Sequence, residues 1–166
     1  RRGRELLAGL GLGFEVKVVA GIDESYPADM PAADVPQYIA CKKADAYEVG
    51  GRDLMITADT LVMAEGEILG KPRDTADARR MLRLLSGRRH QVTTGVCIVS
   101  AERRSCFSVT TDVAFKELSD EEIDYYIEHY RPFDKAGAYG IQEWIGYIGV
   151  TSLHGSYFNV MGLPVQ

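Results

Sequence analysis

Hydrophobic and polar positions divide this chain into helices early and late, with long strands between them. Glu5-Leu6-Leu7-Ala8-Gly9-Leu10 predicts a short helix closed by glycines at 11 and 13. From Phe14 to Val19, apolar Phe14, Val16 and Val18 alternate with Glu15 and Lys17, which predicts a strand. A loop with prolines at 27, 31 and 36 follows. Asp34 is then placed to cap a helix whose first turn holds Pro36 and which runs to about Val49, before Gly50-Gly51. The apolar runs Leu54-Met55-Ile56 and Leu61-Val62-Met63 read as one buried strand. It turns at Glu65-Gly66-Glu67, returns through Ile68-Leu69 and leaves at Gly70-Lys71-Pro72.

Beyond that hairpin, Asp74 or Thr75 caps a helix with the stripe Ala78, Met81, Leu82 and Leu85, ended by Ser86-Gly87. Two strands are predicted over about His90–Ser100 and Ser105–Phe115, with Cys97 and Cys106 placed to face each other across the hairpin. Ser119-x-x-Glu122 is a capping box opening a helix over Glu121–His129. From Arg131 to Val165, glycines and aromatics predict short strands and turns. Early alternation and later hairpins together predict an α/β fold with a mixed β-sheet flanked by helices.

The length of 166 residues fits one domain with a real core, expected to span 1–166. Its composition, 46% hydrophobic and 26% charged, is that of an ordinary globular protein. A net charge of −5 argues against general nucleic-acid binding but leaves room for a small phosphorylated ligand held by a few local cations. The three cysteines, Cys41, Cys97 and Cys106, form no CxxC and point to a reduced, cytoplasmic setting. No apolar run approaches the roughly 18 residues of a membrane span.

Candidate chemistry starts at Asp59, a carboxylate inside the apolar strand, where it is costly unless paired or bound to a cation. Read alone it is a satisfied structural Asp. With Lys71 a hairpin arm away, the two could handle a phosphate and its metal. Arg1 and Arg2 precede a helix, where guanidiniums can join the helix N-terminus in holding an anion. Glu24 stands in a loop just past the predicted strand, and Lys42-Lys43 lie on the second helix. The stretch Phe133 to Gln142 is the densest in small residues, with Lys135 and Gln142 as polar tips. His90, His129 and His154 have no metal spacing and read as structural; neither a Walker sequence nor a GxSxG elbow is present.

Taken together, these motifs resemble the Maf family of nucleoside triphosphate pyrophosphatases along nearly the whole chain. Arg1-Arg2-x-Arg-Glu-Leu-Leu resembles the end of that family's opening motif, Ile22-Asp23-Glu24 its "(I/V)DE", and Ile39 to Ala44 its "LAxxKA", which selects Lys43 over Lys42. Ala58-Asp59-Thr60 and Gly70-Lys71-Pro72 resemble "ADT" and "GKP"; Leu84 to Gly95, Asp134 to Gln142, and Gly155 to Pro164 match further motifs in order. The family also has a first strand with Ser-x-Ser-Pro and a closing helix, which this sequence does not contain. Many members carry Glu where Arg131 stands, so that position is given no role.

The resemblance implies an inosine-triphosphatase-like fold with a cleft between two lobes, and hydrolysis of a nucleoside triphosphate to its monophosphate and pyrophosphate. It implies Asp59 as base, Glu24 and Asp59 as ligands of Mg²⁺ or Mn²⁺, and Arg1, Arg2, Lys43, Thr60, Lys71, Lys135 and Gln142 as substrate contacts. A homodimer in the cytoplasm, without nucleic-acid or membrane partners, is expected. The form of Asp134 to Gln142 resembles the branch that hydrolyses dTTP and UTP. Two other readings share the binding residues: a nucleotide-binding cell-division regulator without turnover, and a pyrophosphatase for modified nucleotides such as 7-methyl-GTP.

Overall fold

A computed structural model describes residues 2–166. Helix α1 (Arg2–Gly9) opens it; a 3₁₀ turn over Ala32–Asp34 leads into α2 (Val35–Asp45). The hairpin is β1 (Met55–Ala64) and β2 (Glu67–Leu69), then α3 (Thr75–Leu85), β3 (Arg89–Val99), β4 (Arg104–Phe115) and α4 (Asp120–Tyr130). A 3₁₀ turn at Ala136–Ala138, α5 (Trp144–Gly149), β5 (Val150–His154) and α6 (Tyr157–Met161) complete it. Among the described residues no helix is long and apolar enough to cross a membrane.

The α/β class and the helix-flanked sheet are as predicted. The sheet, expected to be mixed, is five-stranded in the order β2-β1-β3-β4-β5, and every pairing among the described residues is antiparallel. Two of its four pairings join strands consecutive in sequence through tight turns, the connection that antiparallel strands allow. Most caps follow the sequence. The Asp74 carboxylate accepts from the Asp77 amide at 2.8 Å, and Ser119 with Glu122 forms the capping box of α4.

Four expectations are corrected. The segment Phe14–Val19 is not a strand: it has no ladder, and Phe14, Val16 and Val18 are exposed. Its recorded hydrogen bonds run to the Tyr47 hydroxyl, which accepts from the Val19 amide and donates to the Lys17 carbonyl. Alternation marks a chain able to show two faces, but a strand also needs a neighbour to take its backbone groups. Asp34 makes no side-chain cap, because the 3₁₀ turn ahead of α2 leads straight into the helix. That helix stops at Asp45 rather than about Val49, since Ala46 is already outside it. The late segment holds two short helices, α5 and α6, besides its strand.

Side chains from both hairpins, α3, α4 and the late segment form the main core, with Tyr126, Leu82 and Ile145 fully buried. A smaller cluster joins Leu6 of α1 to Val96 and Leu163, and another joins Ala40 and Ala44 of α2 to Cys97. His90 lies in the core against the edges of Phe115 and Tyr139 and shares a hydrogen bond with the Tyr139 hydroxyl. Burial pushes its pKa down to about 4, so the ring is neutral, as a structural His should be. An unfolded chain takes up a proton near pH 6.5 where the folded one does not, so stability falls as pH drops from 6.5 toward about 4. The expected loss is on the order of 3 kcal/mol, from the cost of shifting a pKa across that span. Denaturant melts from pH 7 to 4 should show it, and His90→Gln should flatten the slope.

Candidate active site

Helix α2 lies directly on β1 and β3, and Gly95 makes that possible. A Cβ on Gly95 would sit 2.2 Å from the Gln37 backbone nitrogen and 2.3 Å from the Pro36 carbonyl carbon. Gly95 is also the residue directly opposite Asp59 in the β1–β3 register. Opposed residues share a face, so Asp59 points toward α2. Along the same face the Thr57 hydroxyl donates to the Ala40 carbonyl at 2.7 Å. Lys43 sits in the last turn of α2, and its side chain runs back toward the helix start, as helical geometry directs.

Lys43 Nζ donates to Asp59 Oδ1 at 2.8 Å and to the Ala58 carbonyl at 3.4 Å, and lies 3.2 Å from Glu24 Oε1. One ammonium thus bridges two carboxylates at the edge of the sheet. Lys42 points elsewhere, to Asp23 at 3.1 Å and to the Ser25 carbonyl. Burial raises the Asp59 carboxyl above the usual range, Lys43 offsets this only in part, and Glu24 pushes the same way. For Lys43, burial works against the charge, but Asp59 and Glu24 outweigh it and hold the ammonium protonated. Asp59 Oδ2 is buried and has no hydrogen-bond partner.

A cleft of about 590 Å³ opens over Ala58–Val62. β2 pairs only with residues 62–64, so the β1 edge from 55 to 61 has no partner strand among the described residues. Arg2, Glu24, Asp59, Thr60, Lys71 and Lys135 all line this cleft, with Tyr26, Tyr139 and Val160 among its walls. Thr60 faces away from α2: its hydroxyl bonds that of Thr94 at 2.8 Å, and Thr94 donates on to the Asn159 carbonyl. Lys71 is exposed and forms no ion pair among the described residues, although its charge reaches Asp59. A direct Asp59–Lys71 contact is therefore not formed; Lys43 takes that place.

Arg2 stands inside α1 rather than before it, 4.0 Å from Glu143 Oε1, with Lys135 Nζ 3.6 Å from the same oxygen. The Tyr126 hydroxyl donates to that oxygen too, at 2.8 Å. Glu143 went unnoticed in the sequence; its signal is a carboxylate directly after Gln142, at the end of the glycine-rich stretch. Thr94, within the Leu84–Gly95 motif, is a second residue to which the sequence alone assigned no role. Gln142 is not among the residues lining the cleft, and its Oε1 is buried without a partner. Arg1 lies outside the described residues.

The site therefore combines cations that can hold phosphates with two carboxylates that can hold a hard cation or a water. Asp59 with its free Oδ2, and Glu24, form an oxygen donor set that fits Mg²⁺ or Mn²⁺. Because the folded-state pKa of Asp59 lies above its ordinary 3.8, the ionised carboxylate costs stability above that folded pKa and nothing well below 3.8. With divalent ions chelated, Asp59→Asn should melt higher than the parent at pH 7, and the two should converge as pH falls toward 3.8. A lower melting point for the variant at pH 7 would show the Lys43 pair to be net stabilising.

A family model described as Maf-like protein matches residues 1–166. A dTTP/UTP pyrophosphatase of Phocaeicola vulgatus is 58% identical over 167 residues, covering 99% of this chain and 86% of that protein. Proteins of the same name are similar at 56% identity in Porphyromonas gingivalis, over 99% of this chain and 85% of theirs, and at 53% in Bacteroides thetaiotaomicron, over 99% and 86%.

Proposed function

The chain belongs to the Maf-like protein family, and from that premise we propose that it hydrolyses dTTP and UTP to the nucleoside monophosphate and pyrophosphate. The observation that carries this reading is the Asp59–Lys43–Glu24 cluster at the open edge of β1: Asp59 and Glu24 line the cleft with Arg2, Lys71 and Lys135, and Lys43 holds both carboxylates from behind its lining. The relatives named dTTP/UTP pyrophosphatase support the choice of substrate.

A triphosphate carries about four negative charges, which Arg2, Lys71 and Lys135 neutralise and orient, Arg by a planar fork and Lys by a point charge. Asp59, whose raised pKa brings it nearer the working pH of a base, accepts the proton of a water that attacks the α–β phosphoanhydride. The new P–O bond forms as the bridging P–O bond breaks, and pyrophosphate leaves with the electron pair. Lys43 holds the Asp59 side chain in place and keeps its own positive charge beside the reacting phosphate. Asp59 and Glu24 would hold the divalent cation, which supplies Lewis-acid charge neutralisation on the phosphates. Positioning and charge stabilisation of this kind are most of what phosphoryl transfer requires. The same reading includes a homodimer in the cytoplasm that acts on free nucleotides rather than nucleic acid.

Asp59→Asn should lower turnover by about 10²–10⁴-fold while triphosphate binding persists. Steady-state kinetics with a coupled phosphate assay, beside calorimetric binding, separates the two; a variant keeping more than about a tenth of the activity removes Asp59 as base. A parent protein that binds dTTP and UTP in the same calorimetry but releases no pyrophosphate would instead favour a binding protein without turnover.

Base choice is assigned to Gln142, with Thr60 and Arg1. An amide presents both a donor and an acceptor, which suits the O4/N3–H edge of uracil or thymine. Gln142 Oε1 is buried without a partner, and this role requires the side chain to turn into the cleft so that Oε1 accepts from N3–H. Cytosine shows an amine in place of O4, so a site built on hydrogen bonds should reject it strongly. The expected order of kcat/KM is dTTP and UTP above CTP, with 7-methyl-GTP lowest. Should 7-methyl-GTP lead, the role of Gln142 fails.

A further inference from the structure

At the other end of the α2 contact, three sulfurs converge from three elements. Cys97 and Cys106 are directly opposed in the β3–β4 register, and Cys41 comes down on them from α2. Cys41 Sγ lies 3.0 Å and Cys97 Sγ 2.9 Å from Cys106 Sγ, and all three sulfurs are within 4.8 Å of one another. All three are free thiols. We propose that this triad is a second metal site, in which three thiolates hold one thiophilic d¹⁰ cation of the Zn²⁺ class.

The donors are soft and converge on one point, the arrangement that selects Zn²⁺ or Cu(I) over the hard ions suited to the cleft. A disulfide could use only two of these sulfurs and would leave the third unpaired; a cation uses all three. Zinc–sulfur bonds of ~2.3 Å place tetrahedral sulfurs about 3.8 Å apart, so the two contacts to Cys106 need to open by less than about 1 Å. Cys41 and Cys106 are half-buried, which leaves a fourth position for water, whereas Cys97 is fully buried.

Three thiolates and Zn²⁺ sum to −1, and a guanidinium stands beside that charge: Arg104 donates to the Cys41 carbonyl at 2.9 Å while also pairing with Asp45 at 2.6 Å. Binding would release the thiol protons, so it should tighten as pH rises. Since Cys41 lies two residues before Lys43, the ion would tie α2 to the β3–β4 hairpin from the side opposite the cleft's cations.

The experiment takes reduced, chelator-treated protein and titrates it anaerobically with Co²⁺, then with Zn²⁺ against a chromophoric chelator. One equivalent per chain should bind with a thiolate-to-cobalt charge-transfer band and tetrahedral d–d bands, should be displaced by Zn²⁺, and should raise the melting temperature. Cys41→Ser and Cys106→Ser, both at half-buried positions, should each weaken Zn²⁺ binding by at least an order of magnitude and diminish the band. Asp59→Asn should leave the band unchanged, since oxygen ligands of the cleft give none. A missing charge-transfer band, or one that survives both serine variants, overturns the proposal. So does freshly isolated, metal-free protein with a single titratable thiol, which would mean a disulfide instead.

Discussion

A helix can rest on the backbone of a sheet only where the strand beneath offers no side chain, and Gly95 is that place. Any Cβ there would occupy the space of the Pro36–Gln37 peptide and lift α2 from β3. The consequences run along the helix. Ala40 meets Thr57 through a carbonyl–hydroxyl bond, Ala44 closes a small apolar cluster with Cys97, and Lys43 turns back to reach Asp59. The acid of the site is thus directly across the ladder from the glycine that seats the base of the helix. A sheet residue with no side chain positions a lysine two turns of helix away.

The cluster so formed is a poor choice for stability. Three charged groups share a partly dry edge, and apolar residues of similar volume would often hold such a position as well or better. Lys43 satisfies one oxygen of Asp59 and leaves the other buried without a partner. Such an unsatisfied acceptor is costly in a resting protein and useful in one that receives a cation or a water there. The same holds at the far wall, where Arg2, Lys135 and Tyr126 converge on one oxygen of Glu143 and the buried Arg2 Nη2, 4.0 Å from it, makes no hydrogen bond.

Local patterns were legible in the sequence; convergence of distant residues was less so. Asp59 stood out because a carboxylate interrupts an apolar run, and Cys97 opposite Cys106 followed from the length of the hairpin turn. The order of motifs picked out Lys43 rather than Lys42, a choice that composition could not make because both lie on one helix. Glu143 was missed because its partners Arg2 and Lys135 lie more than a hundred and only eight residues away respectively, with no period linking them. Phe14–Val19 misled because alternation reports the two faces of a segment and says nothing of a neighbour to pair with. Helices α5 and α6, of six and five residues, are too short for a helical period to show.

Register, finally, divides the labour within the site. Asp59 and Thr60 are consecutive, so the pleat sends them to opposite faces of β1. Asp59 joins Glu24 and Lys43 on the α2 side, while Thr60 joins Thr94 and, through it, the Asn159 backbone on the other. Asn159 is itself fixed there, donating to the Val92 carbonyl at 3.1 Å and the Thr111 hydroxyl at 3.0 Å. A nucleotide laid across this open edge would meet the acid and its lysine on one face and a rigid hydroxyl network on the other. A slip of one residue in β1 would exchange the two and turn Asp59 toward Thr94 and Asn159. The long β1–β3 ladder, from Met55 with Val99 to Met63 with Gln91, resists that slip, and the contact of α2 with Gly95 pins it. The chemistry of the cleft is therefore set by strand pairing before any ligand arrives.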